Sequence, residues 1–291
     1  MAEQILKLGI PVGSLQKATI ELFGKAGFHI ADSARSYKPR IDDEQIQLIM
    51  LRAQEMSRYV EDGVLDAGIT GHDWITENGS DVVEVCELAY SKATSKPARW
   101  VLAVPDESKV KRAKDLAGGI VATELENVTR KYFDDKNIDV KIEFSWGATE
   151  VKARLVDAIV ELTETGTSLR ANNLRIIDTV VRSTTRLIAN RQAWDDTFKR
   201  EKIENISILL KAAVNASSMV GLKMNVKRSD LDSILNILPA EKSPTVSSLA
   251  DPDYVAIEVI IDDKIERSLV PRLTRAGASA IITYPLNKVI H

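Results

Sequence analysis

Short apolar runs alternate with amphipathic stretches along the first two thirds of the chain, and this alternation predicts successive strand and helix units. Leu6, Leu8 and Ile10 open a strand over 6–10, and Pro11-Val-Gly-Ser14 makes a turn. Apolar positions at Leu15, Ala18, Leu22 and Phe23 then predict a helix over 15–26. A second amphipathic helix is expected over 45–59, stopped by Gly63. A buried strand over 65–70 follows, with Gly71-His-Asp-Trp74 as the loop at its end. The polar stretch 91–97 marks a crossing into a second lobe, which opens with a strand over 99–105. The pattern continues as a helix over 109–116, a strand over 119–122, a helix capped by Asn127 that runs through Tyr132 and Phe133, an alternating strand over 140–144 and a buried strand over 158–162. Such alternation argues for an α/β fold with a mainly parallel sheet in each lobe and ligands at the strand carboxyl ends.

The last third changes character. A polar helix over 192–203 leads into a separate block: helix 208–216, strand 219–226, helix 229–238, strand 254–261, helix 265–276, strand 280–284. Strand-helix-strand-helix-strand after the linking helix predicts a small α+β domain over 207–291.

Composition narrows the function classes. The chain has 291 residues, more than one hydrophobic core of ordinary size supports, so two or three domains are expected. Its formal net charge of −3 creates no positive field for nucleic acid, so an anionic ligand must be held by local donors. The single cysteine, Cys86, excludes an internal disulfide and a multi-cysteine zinc site; in its apolar run it reads as an inert core thiol. The start, Met-Ala-Glu-Gln, lacks a signal core, and no apolar run approaches the ~18 residues of a membrane helix. A soluble cytoplasmic protein is expected.

The candidate chemistry lies in residues 157–169, Asp157-Ala-Ile-Val-Glu161-Leu-Thr-Glu164-Thr165-Gly166-Thr167-Ser168-Leu169. A buried strand runs into a small hydroxyl-rich loop and then a helix start. There Gly166 lets the backbone approach an anion while Thr165, Thr167 and Ser168 add donors beside free amides. Asp157 and Glu161 are carboxylates that can accept hydrogen bonds from ribose hydroxyls or assist a magnesium ion holding a pyrophosphate. The same string also fits an ordinary strand-to-helix turn in which Ser168 caps the helix and Glu164 faces solvent. Gly13 serves a structural turn or faces a ligand. Arg52 is a surface cation or a substrate contact, and His72 reads as a neutral loop residue, with His29 and His291 peripheral.

Ser145-Trp-Gly-Ala-Thr-Glu150 and residues 157–172 together resemble the signature of the ATP phosphoribosyltransferases. The resemblance extends through Asp66-Ala-Gly-Ile-Thr-Gly71, Val121-Ala-Thr123, Thr129-Arg-Lys-Tyr-Phe133 and Ala276-Gly-Ala-Ser-Ala-Ile281, in order and over nearly the whole chain. It implies a two-lobed, periplasmic-binding-protein-like catalytic core, with lobe I formed by 1–91 and 184–206 and lobe II by 92–183. The segment 186–190 then returns to the first lobe, and the cleft closes on substrate. It implies further that 207–291 is an ACT-like, ferredoxin-like regulatory domain that binds histidine near Asn225, the 243–245 turn with Thr245, and Ala280. The implied reaction transfers the phosphoribosyl group of phosphoribosyl pyrophosphate to N1 of the adenine of ATP, the opening step of histidine biosynthesis. Magnesium would arrive mainly on the pyrophosphate, and the chain would work as a homo-oligomer, from dimer to hexamer. In the same resemblance Thr165 to Leu169 hold the 5-phosphate of phosphoribosyl pyrophosphate, Asp157 and Glu161 its ribose, Glu164 belongs to the same substrate site, and Gly13, Arg52 and Gly71 hold the nucleotide. Val12 and Ser14 stand where the family often has lysine and arginine. Two other classes compete: a solute-binding module, which would need a secretion signal, and an effector-sensing domain of a transcription factor, which would need a helix-turn-helix ahead of the first strand.

Overall fold

The computed structural model describes residues 4–31, 36–90, 97–239 and 244–290. The chain begins β1 (Leu6–Val12), α1 (Gln16–Ala26), β2 (Ile46–Arg52), α2 (Ala53–Glu61), β3 (Ala67–Gly71), α3 (His72–Asn78), β4 (Val83–Leu88). It continues β5 (Ala98–Pro105), β6 (Ile120–Thr123), α4 (Glu126–Asp134), β7 (Lys141–Phe144), α5 (Thr149–Lys152), β8 (Ala158–Thr163), α6 (Thr167–Ala171), β9 (Leu174–Ser183). The remainder is β10 (Thr185–Ala189), α7 (Arg191–Asp195), α8 (Thr197–Ala216), β11 (Met219–Lys227), α9 (Leu231–Leu235), β12 (Thr245–Ser248), β13 (Tyr254–Asp262), α10 (Asp263–Arg275) and β14 (Ser279–Pro285).

Among the described residues the strands build three sheets, ordered β2-β1-β3-β10-β4, β7-β6-β8-β5-β9 and β12-β13-β11-β14. The first two are the sheets of lobe I and lobe II in one compact unit, 1–207; the third lies in a second unit, 208–291. Both lobe sheets are mixed rather than mainly parallel. β1 runs parallel to β2 and β3 while β10 opposes β3 and β4; β6 runs parallel to β7 and β8 while β5 opposes β8 and β9. A parallel neighbour needs a long crossover. β10 comes straight from β9 of the other sheet after Thr184 alone and, with no crossover helix of its own, lies antiparallel to β3 and β4. The polar residues 91–96 at the other crossing lie outside the described residues.

Four predicted helices are corrected. Residues 46–52 are the strand β2, paired in register with β1 from Leu6↔Ile46 to Val12↔Arg52, and the helix starts only at Ala53. Within 109–116 only a 3-10 turn, Ala113–Leu116, forms. The two helices expected over 192–203 and 208–216 are instead the short α7 and the continuous α8, which runs through the unit boundary.

Burial follows the two-faced character of the lobe sheets. In β5, Trp100, Leu102 and Val104 enter one core cluster and Val101 and Ala103 the other. In lobe I, α2 lies so close to the sheet that a Cβ on Gly9 would sit 2.3 Å, and one on Gly68 2.7 Å, from Met56 Sδ. The 208–291 unit is a ferredoxin-like β-α-β-β-α-β fold. Its core includes Leu222, Met224, Val226, Ile257 and Leu273, and its strand β12 was not expected from sequence because Thr245–Ser248 is short, polar and exposed.

Candidate active site

The carboxyl ends of the parallel strands converge. β1, β2 and β3 end at Val12, Arg52 and Gly71, and β6 and β8 end beside Glu124 and at Thr163. These ends line one cavity of about 720 Å³ with the crossing residues 183–185. Strand carboxyl ends collect ligands in open α/β sheets because loop amides and helix starts point there.

On the lobe II side the wall is the loop after β8. Gly166 adopts φ +73°, the left-handed conformation that glycine takes without strain, and its N–H donates to Thr163 Oγ1 at 2.7 Å. That turn ends the strand and presents the first amides of α6, which have no intrahelical acceptor. The hydroxyls of Thr165 and Thr167 meet at 2.9 Å, Arg170 Nη2 donates to Thr167 Oγ1 at 3.3 Å, and Ser168 Oγ donates to Glu150 Oε1 at 2.5 Å. The loop is thus a prearranged set of hydroxyl and amide donors.

Carboxylates stand beside it. Burial pushes Glu161 up to about 7, and the nearby charges of Glu150 and Glu124 add to the rise, while hydrogen bonds from Thr149 and the Leu162 amide oppose it. Burial also raises Glu124; a hydrogen bond from the Gln54 side chain and the charge of Arg52 pull it back. Gln54 and Arg52 belong to lobe I and Glu124 to lobe II, so the walls face each other across the cavity.

Residues 52–212 match the family model described as ATP phosphoribosyltransferase. The chain belongs to the ATP phosphoribosyltransferase family. Residues 216–288 match the model described as the C-terminal domain of HisG. An ATP phosphoribosyltransferase of Chlorobium chlorochromatii is 56% identical over 288 residues, 99% of this chain and 98% of that one. One of Geotalea daltonii is 54% identical over 288 residues, covering 98% and 99%. Among solved structures, a chain of the ATP phosphoribosyl transferase (HisG:HisZ) complex from Thermotoga maritima is similar at TM-score 0.60 and 27% identity, covering 71% of this chain and 99% of that one. The chain is therefore an enzyme of the glycosyltransferase type, built on the two-lobed α/β core with a ferredoxin-like C-terminal domain.

Of the residues that the family signature singles out, Gly13, Arg52, Gly71, Glu161, Glu164, Thr165, Thr167 and Ser168 line the cavity, and Gly166 shapes its loop. Arg52 does so because it ends a strand; it does not ride on a solvated helix. One assignment is corrected. Asp157 precedes β8 at its amino end, about 20 Å of strand from the loop, where its Oδ2 accepts the Ile120 N–H at 2.8 Å. Leu169 is 1% exposed and its side chain packs with Val101, Ala103 and Ile159, so a phosphate contact from it rests on its backbone amide in the first turn of α6.

Other expectations also shift. Asn127 does not cap α4 with its side chain; the Glu77 carboxylate accepts the amides of Asn127 and Val128 instead. His72 pairs with Glu84 at 3.2 Å outside the cavity, His29 pairs with Asp42 at 2.9 Å, and Cys86 is half-buried in β4 rather than fully in the core. In the C-terminal unit, Asn225 and Ala280 sit on the neighbouring strands β11 and β14, where Asn225 pairs with Ser279. Thr245 is on β12, separated from β11 by β13, so one chain does not bring it together with the other two. His291 and Ser243 lie outside the described residues. The sequence reading missed Gln54, Glu124, Tyr90, Trp100 and 183–185 as cavity residues. Glu124 carried a usable signal: it lies two residues past the strand predicted over 119–122, at its carboxyl end.

Proposed function

We propose that this enzyme transfers the phosphoribosyl group of phosphoribosyl pyrophosphate to N1 of the adenine of ATP, forming phosphoribosyl-ATP and pyrophosphate. The observation that carries this reading is the hydroxyl-and-amide loop of lobe II, facing Arg52 and Gly13 of lobe I across a single cavity, in a chain of this family. The N1 lone pair forms the new bond to ribose C1 as the C1–O bond to pyrophosphate breaks, and pyrophosphate leaves with that electron pair. No protein nucleophile is needed, so positioning and charge stabilisation supply the rate. Thr165, Thr167 and Ser168 with the α6 amides hold the 5-phosphate, Glu161 accepts from the ribose hydroxyls, and Arg52 and the β1 and β3 loops hold the nucleotide.

Magnesium belongs to this reading as the partner of pyrophosphate. Among the described residues no group of three His, Cys, Asp or Glu side chains is placed to hold an ion. In this reading the ion comes with the substrate, with phosphate oxygens and water completing its shell, as suits Mg²⁺. When bound it neutralises the departing pyrophosphate.

The reading extends to the first step of histidine biosynthesis in the cytoplasm, with the 208–291 unit sensing histidine and the chain working as a homo-oligomer. Among the described residues no helix is long and apolar enough to cross a membrane. The test is pyrophosphate release on mixing ATP with phosphoribosyl pyrophosphate and Mg²⁺. Release that needs both substrates supports the reading, and none, or release without ATP, sinks it.

A further inference from the structure

The short helix α3 carries two buried carboxylates one turn apart, Asp73 and Glu77, and both reach out of lobe I. Asp73 Oδ2 accepts the Trp100 indole N–H of β5 at 2.6 Å, and its Oδ1 accepts Ser183 Oγ at the end of β9 at 2.8 Å. The Asp73 amide donates back to Ser183 Oγ at 3.1 Å. Glu77 Oε1 and Oε2 accept the amides of Asn127 and Val128 at 3.0 and 2.9 Å, the open start of α4, and Asn127 Nδ2 donates to the Glu77 carbonyl at 2.9 Å. Between them Trp74 packs edge-on to Trp100 at 6.0 Å, within the lobe II core cluster. The other side of α3 stays in lobe I, where Ile75 joins the core around Met56 and Asn78 Nδ2 donates to the Gln54 carbonyl and Ser57 Oγ at 2.9 Å.

Buried carboxylates are costly unless their oxygens are matched by donors. Burial raises Glu77 from its ordinary value, and the α4 amides pull it back. Each acid therefore supplies directional hydrogen bonds where apolar packing would have joined the lobes more loosely. The tie also borders the substrate cavity, because Asp73, Trp74, Trp100 and Ser183 line it.

We propose that Asp73 and Glu77 are positioning residues that hold the two lobes at one angle, keeping Arg52 and Gly13 of lobe I at a set distance from Glu161 and the Thr165–Ser168 loop of lobe II. Their effect on turnover rests on the transfer reaction proposed above; the lock itself does not.

The test places spin labels on the exposed sites Lys17→Cys in α1 and Lys114→Cys in lobe II, in a Cys86→Ser background. Their separation is measured by pulsed electron resonance, with circular dichroism confirming the fold. The parent gives one narrow distance distribution. Glu77→Ala and Asp73→Asn broaden or shift it and lower the kcat of transfer by about tenfold or more, while KM for either substrate stays within about threefold. Glu77→Gln, whose amide oxygen still accepts an α4 N–H, recovers part of both. Folded variants with the parent's distance distribution, or a loss confined to KM, overturn the proposal. If the parent itself transfers nothing, the transfer reading fails, and the distance distributions alone decide the lock.

Discussion

Glu161 sits where a carboxylate is least at ease, buried beside the charges of Glu150 and Glu124, and its value near 7 replaces the ordinary 4.5. Because the folded value lies above the unfolded one, its contribution to stability is complete below about 4.5 and is lost as pH rises through about 7. The melting temperature of the ligand-free enzyme should therefore fall between about pH 5.5 and 8 more than that of Glu161→Gln. Ribose hydroxyls bind the ionised form, so KM for phosphoribosyl pyrophosphate should drop over the same range in the parent and stay flat in the variant. Gly166→Val should keep its fold but lose at least about tenfold in kcat/KM, since a branched side chain at φ +73° strains the loop and its Cβ lies 3.0 Å from the Arg170 guanidinium. Asp157→Ala should leave both KM values unchanged and cost about 1 kcal/mol of stability in denaturant melts, through the lost acceptor for Ile120 N–H. Thr165, Thr167 and Ser168 were legible in the sequence because small hydroxyl residues after an apolar run mark a strand end. Asp157 was not, since a motif string treats sequence neighbours alike. Strand direction sends Asp157 to the far end, and the first turn of α6 rotates Leu169 inward.

At the scale of elements, Ile46–Arg52 shows why a pattern can be read two ways. Ile49, Ala53, Met56 and Val60 satisfy a helical spacing, yet Ile46, Leu48 and Met50 also alternate with more exposed neighbours, and pairing with β1 decides for the strand. The consequence reaches the site, because only a strand delivers Arg52 to the same sheet edge as Gly13 and Gly71. Helix α2 then packs on the bare backbone of β1 and β3 through Met56. Gly68→Ala should destabilise the protein by about 1–3 kcal/mol through overpacking, and adding Met56→Ala should make the pair less than additive, because it removes the clashing atoms. Thermal or urea melts of the three variants check this. Strands β5 and β8 were legible because apolar runs bounded by polar turns leave little choice. β12 and the unbroken course of α8 were not, since an exposed edge strand has no apolar face to announce it, and α8 has no breaker between Ile203 and Ile208.

For the whole molecule, the chain divides into a 1–207 unit that holds the cavity and a ferredoxin-like 208–291 unit that holds none of its lining residues. The two-lobed plan was legible from the strand–helix rhythm and from the family signature. The antiparallel strands were not, because strand direction depends on connections that periodicity does not encode. If the second unit senses histidine, histidine should slow transfer by the parent, and Asn225→Ala should weaken that inhibition by about tenfold, within the usual range of coupling between sites. Rates unaffected by histidine in the parent would contradict the sensor role. The central claim is the bond that forms, and the most direct measurement follows it: ¹⁵N at N1 of ATP and ¹³C at C1 of phosphoribosyl pyrophosphate, with the product observed by nuclear magnetic resonance. A one-bond coupling between the two labels, appearing together with free pyrophosphate, is the predicted result. A product in which C1 is bonded to oxygen or to any other nitrogen of adenine would contradict the account.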